Sequence, residues 1–144
     1  MLGLAADWLG DNSDELSRWR RDLHRHPEVA FAEHRTTDRL LEWLTGFGLT
    51  PRRLKVGTGV VCDVGTGPAF IALRADIDAL PLPDVKDVEY ASQNAGVCHA
   101  CGHDAHTAIL LGVAGSLARA ESLPGSVRLI FQPAEEVVSP LAVL

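Results

Sequence analysis

Residues 59–76 read GVVCDVGTGPAFIALRAD, and their reading decides the fold. Two short apolar runs rich in β-branched residues, GVVCDVG (59–65) and AFIALRAD (69–76), flank a glycine-containing turn, GTGP. Such runs suit strands rather than helices, and the turn between them predicts a β-hairpin. Upstream the period is helical. Ser13 is placed as an N-cap with acids in the turn after it. Leu16, Trp19, Arg20 and Leu23 then follow helical spacing until Pro27 stops the run. A second helix is expected from Glu33 through Thr45, with Leu40, Leu41 and Leu44 as its apolar stripe and Gly46 and Gly48 at its end.

Downstream, IDALPLPDVKDVEYASQNAG (77–96) combines prolines with little periodicity and reads as a long loop, of the kind that is functional or disordered inside a domain. The run from Asp104 to Ala120 is helical and mostly apolar. GSVRLIFQPAEE (125–136) reads as a buried strand ending at Pro133. Helix, helix, hairpin, helix and strand predict an α/β domain, a layered sheet with flanking helices. The last strand is expected beside an earlier one through the helix between them.

The chain has 144 residues, one domain's worth, with 47% hydrophobic and 22% charged residues, as in soluble globular proteins. A net charge of -6 argues against a nucleic-acid partner. The basic stretch RWRRDLHRH (18–26) is flanked by acids and reads as a solvated helix face. No apolar run is long enough to span a bilayer, and the N-terminus lacks the basic start of a secretory signal, so the cytoplasm is expected. Three cysteines are an odd number and make no disulfide framework. In a reducing compartment Cys98 and Cys101 stay thiols, free to bind metal.

Three clusters could carry chemistry, all at expected strand or helix ends, where ligands gather in open α/β folds. Asp76 and Asp78 lie two apart past a strand and point the same way if the chain stays extended; a strand-end turn explains them equally. GVCHACGHDAHTA (96–108) holds Cys98, His99, Cys101, His103 and His106. Cys101 and His103 are donors suited to zinc and similar ions, and His103 and His106 share a helix face. Cys98-x-x-Cys101 also fits a zinc-ribbon half-site or a redox dithiol. Glu135 and Glu136 are adjacent, so in an extended segment one could ligate a metal while the other faces a bound water. That division suits metal-assisted hydrolysis, in which a Lewis acid lowers the water's pKa and a carboxylate takes its proton.

In order, WRRDLHRHPEVAFAEHRTTDRLLEWL, IALRADIDALP, CHACGHDAHTAILLGVA and VRLIFQPAEE resemble the N-terminal part of the amidohydrolases related to hippurate hydrolase. That group includes N-acyl-amino-acid amidohydrolases and plant auxin-conjugate hydrolases, within the metallocarboxypeptidase/aminoacylase superfamily. The resemblance implies a zinc-peptidase-like catalytic domain and hydrolysis of N-acyl amino acids to an acid and an amino acid. It implies Cys101, His103 and Glu136 as ligands of a divalent metal, with two ions in a complete site. Zinc, manganese, cobalt and nickel are not distinguished by such a donor set. Glu135 matches the general acid/base. Asp78, grouped with Glu135 as serving catalysis, and Asp76 match a segment lining the metal site, and they support its ligands. His106 is expected to pack or to hydrogen-bond a ligand.

The family also has at least two further histidine ligands far downstream and a covering domain that often forms dimers. Neither is matched in residues 1–144, which correspond to the N-terminal part of the catalytic domain. The expectations that follow are a small-molecule substrate, no nucleic-acid or membrane partner, and homo-oligomers for the family at large. The 144 residues by themselves are expected to be inactive. A non-catalytic metal-binding remnant or truncated gene product is the alternative.

Overall fold

A computed structural model describes residues 2–137. The elements are α1 (Leu2–Asp11), α2 (Ser13–Arg25), α3 (His34–Gly46), β1 (Arg52–Arg53), β2 (Val60–Val64), β3 (Ala69–Asp76), α4 (His103–Leu117) and β4 (Ser126–Gln132). The sheet order is β1-β2-β4-β3. β4 runs antiparallel to β2, with Val60 opposite Phe131, and parallel to β3, with Ala75 opposite Phe131. The expected hairpin is therefore wrong in its pairing, although both strands form. β4 inserts between them, and GTGP spans the gap. Two strand spacings come to roughly 9.6 Å, within reach of a four-residue link.

A local turn signal lost here to burial. β4 carries Val127, Leu129 and Phe131 on one face, all buried, and only a central position covers them from both sides. Parallel pairing of β3 and β4 needs a crossover, and α4 supplies it. The expectation that the last strand joins an earlier one through this helix holds. The helices cover one face of the sheet, where Trp19, Leu40, Leu44, Leu111 and Ala114 pack against Val60, Cys62, Leu129 and Phe131. The opposite face carries Asp63 and Arg128 in a bidentate pair at 2.7 and 2.8 Å.

α1 had no counterpart in the sequence reading; it lays Trp8 against Gly115 of α4. Asn12 rather than Ser13 occupies the cap of α2. The α3 terminus follows the glycine signal. Gly48 takes φ 80°, and the Gly48 and Leu49 amides return to the Thr45 and Leu44 carbonyls. The amphipathic α2 does not leave all of its basic stretch to solvent. His24 is buried, and it and Arg20 turn inward onto Asp104 at the start of α4, each at 2.8 Å.

The 77–96 loop is tied down. Ala79 and Gln93 amides bond the Glu28 and Arg25 carbonyls, and Asp84 accepts the Ser92 amide. Among the described residues, no helix is long and apolar enough to cross a membrane.

Candidate metal centre

Because β3 and β4 are parallel, their carboxyl ends share one edge of the sheet, and α4 begins at that edge. Three chain segments meet there: 76–78 after β3, 101–103 at the start of α4, and 133–136 after β4. The ladder continues one step past the strands through the Ile77 amide on the Gln132 carbonyl at 2.9 Å. That bond fixes Asp78 one residue further on, beside both other segments.

Asp78 is fully buried and is the hub. Its carbonyl accepts a hydrogen bond from His103 Nδ1 at 2.9 Å, and its Oδ1 lies 3.4 Å from the same nitrogen. Its Oδ2 accepts the Glu136 amide at 2.9 Å. Burial pushes the Asp78 pKa up, but His103 and the amides of Glu136 and Glu135 outweigh it and hold the group below its ordinary value. In return, the Asp78 carboxylate is the main cause that raises the His103 imidazole to about 9.

With Nδ1 engaged, His103 Nε2 faces the two glutamates, 3.9 Å from Glu135 Oε2 and 3.9 Å from Glu136 Oε1. These three residues form a group whose donor atoms all lie within 4.8 Å of one another. The extended geometry expected of Glu135 and Glu136 does not occur. Ala134 adopts φ 58°, and the turn it starts brings both carboxylates to the same imidazole.

Cys101 is exposed beside this group. The surrounding carboxylates, Glu136 first, push its thiol pKa up to about 11, and its sulfur is not among the donor atoms that converge on His103. Gly102, at φ 80°, turns the chain between Cys101 and the helix that carries His103.

Asp76 stands slightly apart. Its Oδ1 pairs with Arg74 at 2.9 Å, and its carbonyl accepts the Thr107 hydroxyl. Burial raises its pKa. His106 is exposed, its ring 6.0 Å from that of His103. Cys98 is buried and pairs through its backbone with Leu80, away from solvent. His99 is also buried, and burial lowers its pKa to about 4.

Donor chemistry and spacing fit a divalent ion. Nitrogen and oxygen donors at about 2.0–2.2 Å from a tetrahedral ion sit roughly 3.3–3.6 Å apart, close to the 3.9 Å found. Glu136 Oε1 is buried without a hydrogen-bond partner, an acceptor that an ion would satisfy.

Two carboxylates were missed in the sequence, Glu28, half-buried, and Glu33, fully buried. Glu28 caps α3, accepting the Arg35 and Thr36 amides at 3.0 and 2.8 Å. Glu33 reaches the Ala134 amide at 2.8 Å. An acid near a helix start is so common that neither carried a signal.

Residues 72–142 match peptidase family M20/M25/M40. A Geobacillus stearothermophilus N-acyl-L-amino acid amidohydrolase is 43% identical over 126 residues, 85% of this chain and 34% of that protein. A Rhodococcus jostii protein named as a glutamate--cysteine ligase 2-3 is 50% identical over 141 residues, 93% of this chain but 18% of that protein. The crystal structure of Bacillus subtilis YXEP, described as a dinuclear metal binding peptidase of the M20 family, superposes with a TM-score of 0.80 at 43% identity. That match covers 86% of this chain and 36% of YXEP. The chain thus spans about a fifth to a third of the length of the curated relatives it matches.

Proposed function

We propose that this chain, whose residues 72–142 match peptidase family M20/M25/M40, supplies the metal-binding part of an amidohydrolase site that cleaves N-acyl amino acids. The observation that carries this reading is the convergence of His103 Nε2 with both glutamate carboxylates, one of them ending in a buried, unpartnered oxygen. Cys101, His103 and Glu136 would hold the ion. The name of the Geobacillus relative supports the substrate class, and the dinuclear description of YXEP supports two ions in the whole protein. A thiol ligand needs a reducing compartment, for which the cytoplasm is proposed.

When bound, the metal supplies Lewis acidity, lowering the pKa of a water and polarising the amide carbonyl. Glu135 is the more exposed of the two glutamates, with a 42% accessible side chain against 18% for Glu136. It can therefore reach a water and take its proton, then pass that proton to the leaving amine. Glu136 is held at its amide by Asp78 and keeps its carboxylate turned to His103. Asp78 fixes the His103 tautomer with hydrogen on Nδ1, leaving Nε2 for the ion. Asp76 and His106 lie near this set without joining it.

Among the described residues the group offers three donors, and negligible turnover is proposed for the isolated polypeptide. Positioning of substrate can supply about 7–11 kcal/mol of barrier reduction.

The test is a chimaera in which residues 1–136 replace the matching segment of the Geobacillus amidohydrolase. It should hydrolyse N-acyl amino acids, and Glu135→Gln should lower kcat by about 10²–10⁴. A folded, metal-loaded chimaera without turnover, or one indifferent to Glu135→Gln, would contradict the reading. So would turnover by the isolated chain that Glu135→Gln abolishes, as regards its inactivity.

A further inference from the structure

We propose that Glu33 is a positioning residue, holding Glu135 and Glu136 toward His103 by fixing the backbone of Ala134. The inference rests on the metal-site reading for its consequence but not for its geometry. Glu33 is fully buried, and its Oε1 accepts the Ala134 amide at 2.8 Å across 101 residues of sequence. Ala134 is itself buried and takes φ 58°, a left-handed conformation that an L-residue with a Cβ adopts at a cost. That one residue separates Pro133, where β4 has ended, from the two glutamates. If Ala134 relaxed to negative φ, the chain would leave the sheet in another direction, and both carboxylates would move away from His103.

The turn is pinned at both ends by buried carboxylates. Asp78 Oδ2 takes the Glu136 amide at 2.9 Å, and Glu33 Oε1 takes the Ala134 amide. Asp78 also touches His103, so its role was visible from the site itself. Glu33 touches none of the four candidate residues and acts only through the backbone.

Helix capping does not explain Glu33. It stands at the cap position of α3, yet it makes no side-chain cap bond, and Glu28 accepts the Arg35 and Thr36 amides instead. Its other oxygen, Oε2, is buried without a hydrogen-bond partner, and burial raises its pKa. A buried acid with an unsatisfied oxygen is a poor structural element. Its placement beside a strained backbone is what a site held in one geometry would require.

Four proteins test this: the wild-type chain, Glu33→Met, which fills the space without an acceptor, Glu33→Gln, which keeps one, and Leu44→Ala. Leu44 is a buried α3 residue that contributes to the core and not to the turn. Two quantities are read: hydrogen exchange at the Ala134 amide without metal, and cobalt(II) affinity from the thiolate absorption band. Glu33→Met should expose the Ala134 amide to exchange while Leu129 and Phe131 stay protected, and should weaken cobalt binding about 10–100-fold. Glu33→Gln should keep both wild-type properties, and Leu44→Ala should change neither selectively.

The inference is overturned if Glu33→Met keeps Ala134 protected, or if its losses only match those of Leu44→Ala. Should the wild-type chain bind no cobalt through Cys101, the metal reading fails, and the exchange measurement still decides the role of Glu33.

Discussion

Replacing Gly59 with alanine probes the packing that carries the candidate site. Gly59 precedes β2 at φ 79°, and a Cβ there would lie 2.6 Å from Pro133 Cδ, 2.8 Å from the Phe131 carbonyl oxygen and 2.9 Å from Leu54 Cδ1. The Phe131 oxygen belongs to the central strand and cannot retreat. Two costs add: about 1–2 kcal/mol for the left-handed backbone and about 1–3 kcal/mol for overpacking. Reduced freedom of the unfolded chain returns about 0.4–1 kcal/mol.

The net expectation is a loss of about 3 kcal/mol. Gly48→Ala is the control, because Gly48 has φ 80° with nothing within 4 Å of the added carbon. It should cost only about 1 kcal/mol. Urea unfolding of both variants measures the difference, expected near 2 kcal/mol at unchanged m-value. Displacement of Pro133 should also weaken metal binding in Gly59→Ala and not in Gly48→Ala. Equal destabilisation by the two substitutions would refute the close approach of β2 to the end of β4.

Asp78→Asn should let the His103 imidazole fall from about 9 toward its ordinary 6.5, followed by NMR titration without metal. An unmoved titration would show that the carboxylate does not govern that ring. A separate outcome concerns acid stability. Burial raises the Glu33 pKa above its ordinary 4.5, so the folded chain holds that proton more tightly than the unfolded chain does. The stabilisation is complete below 4.5 and is lost as pH rises through the folded value. Glu33→Gln should remove that decline in urea midpoints taken from below 4.5 to neutrality, and an unchanged slope would contradict it.

The helices α2, α3 and α4 were legible because their apolar residues recur at helical spacing, and β2, β3 and β4 because short apolar runs with β-branched residues adjoin glycine or proline. The crossover from β3 through α4 to β4 followed from that order. Strand pairing was not legible. Val60 pairs with Phe131 of β4, and no turn signal reports a contact across that distance in sequence. α1 escaped because the N-terminal stretch was weighed only as a targeting segment.

At the site, the chemical types of Cys101, His103, Glu135 and Glu136 stood out, and parallel strands explain why their segments share an edge. The side-by-side approach of the two glutamates did not stand out. It depends on a left-handed Ala134, where sequence rules look for glycine or asparagine. Glu33 was hidden for the same reason: its partner is a backbone amide, which leaves no trace in residue type.

X-ray absorption spectroscopy of the zinc-loaded chain tests the central claim most directly, comparing wild type, Cys98→Ser and Cys101→Ser. The account predicts one sulfur at about 2.3 Å with nitrogen and oxygen donors at about 2.0–2.2 Å, retained in Cys98→Ser and without sulfur in Cys101→Ser. Two sulfurs in the wild type, or loss of sulfur in both variants, would assign the ion to the Cys98–Cys101 pair and contradict the centre built from Cys101, His103 and Glu136.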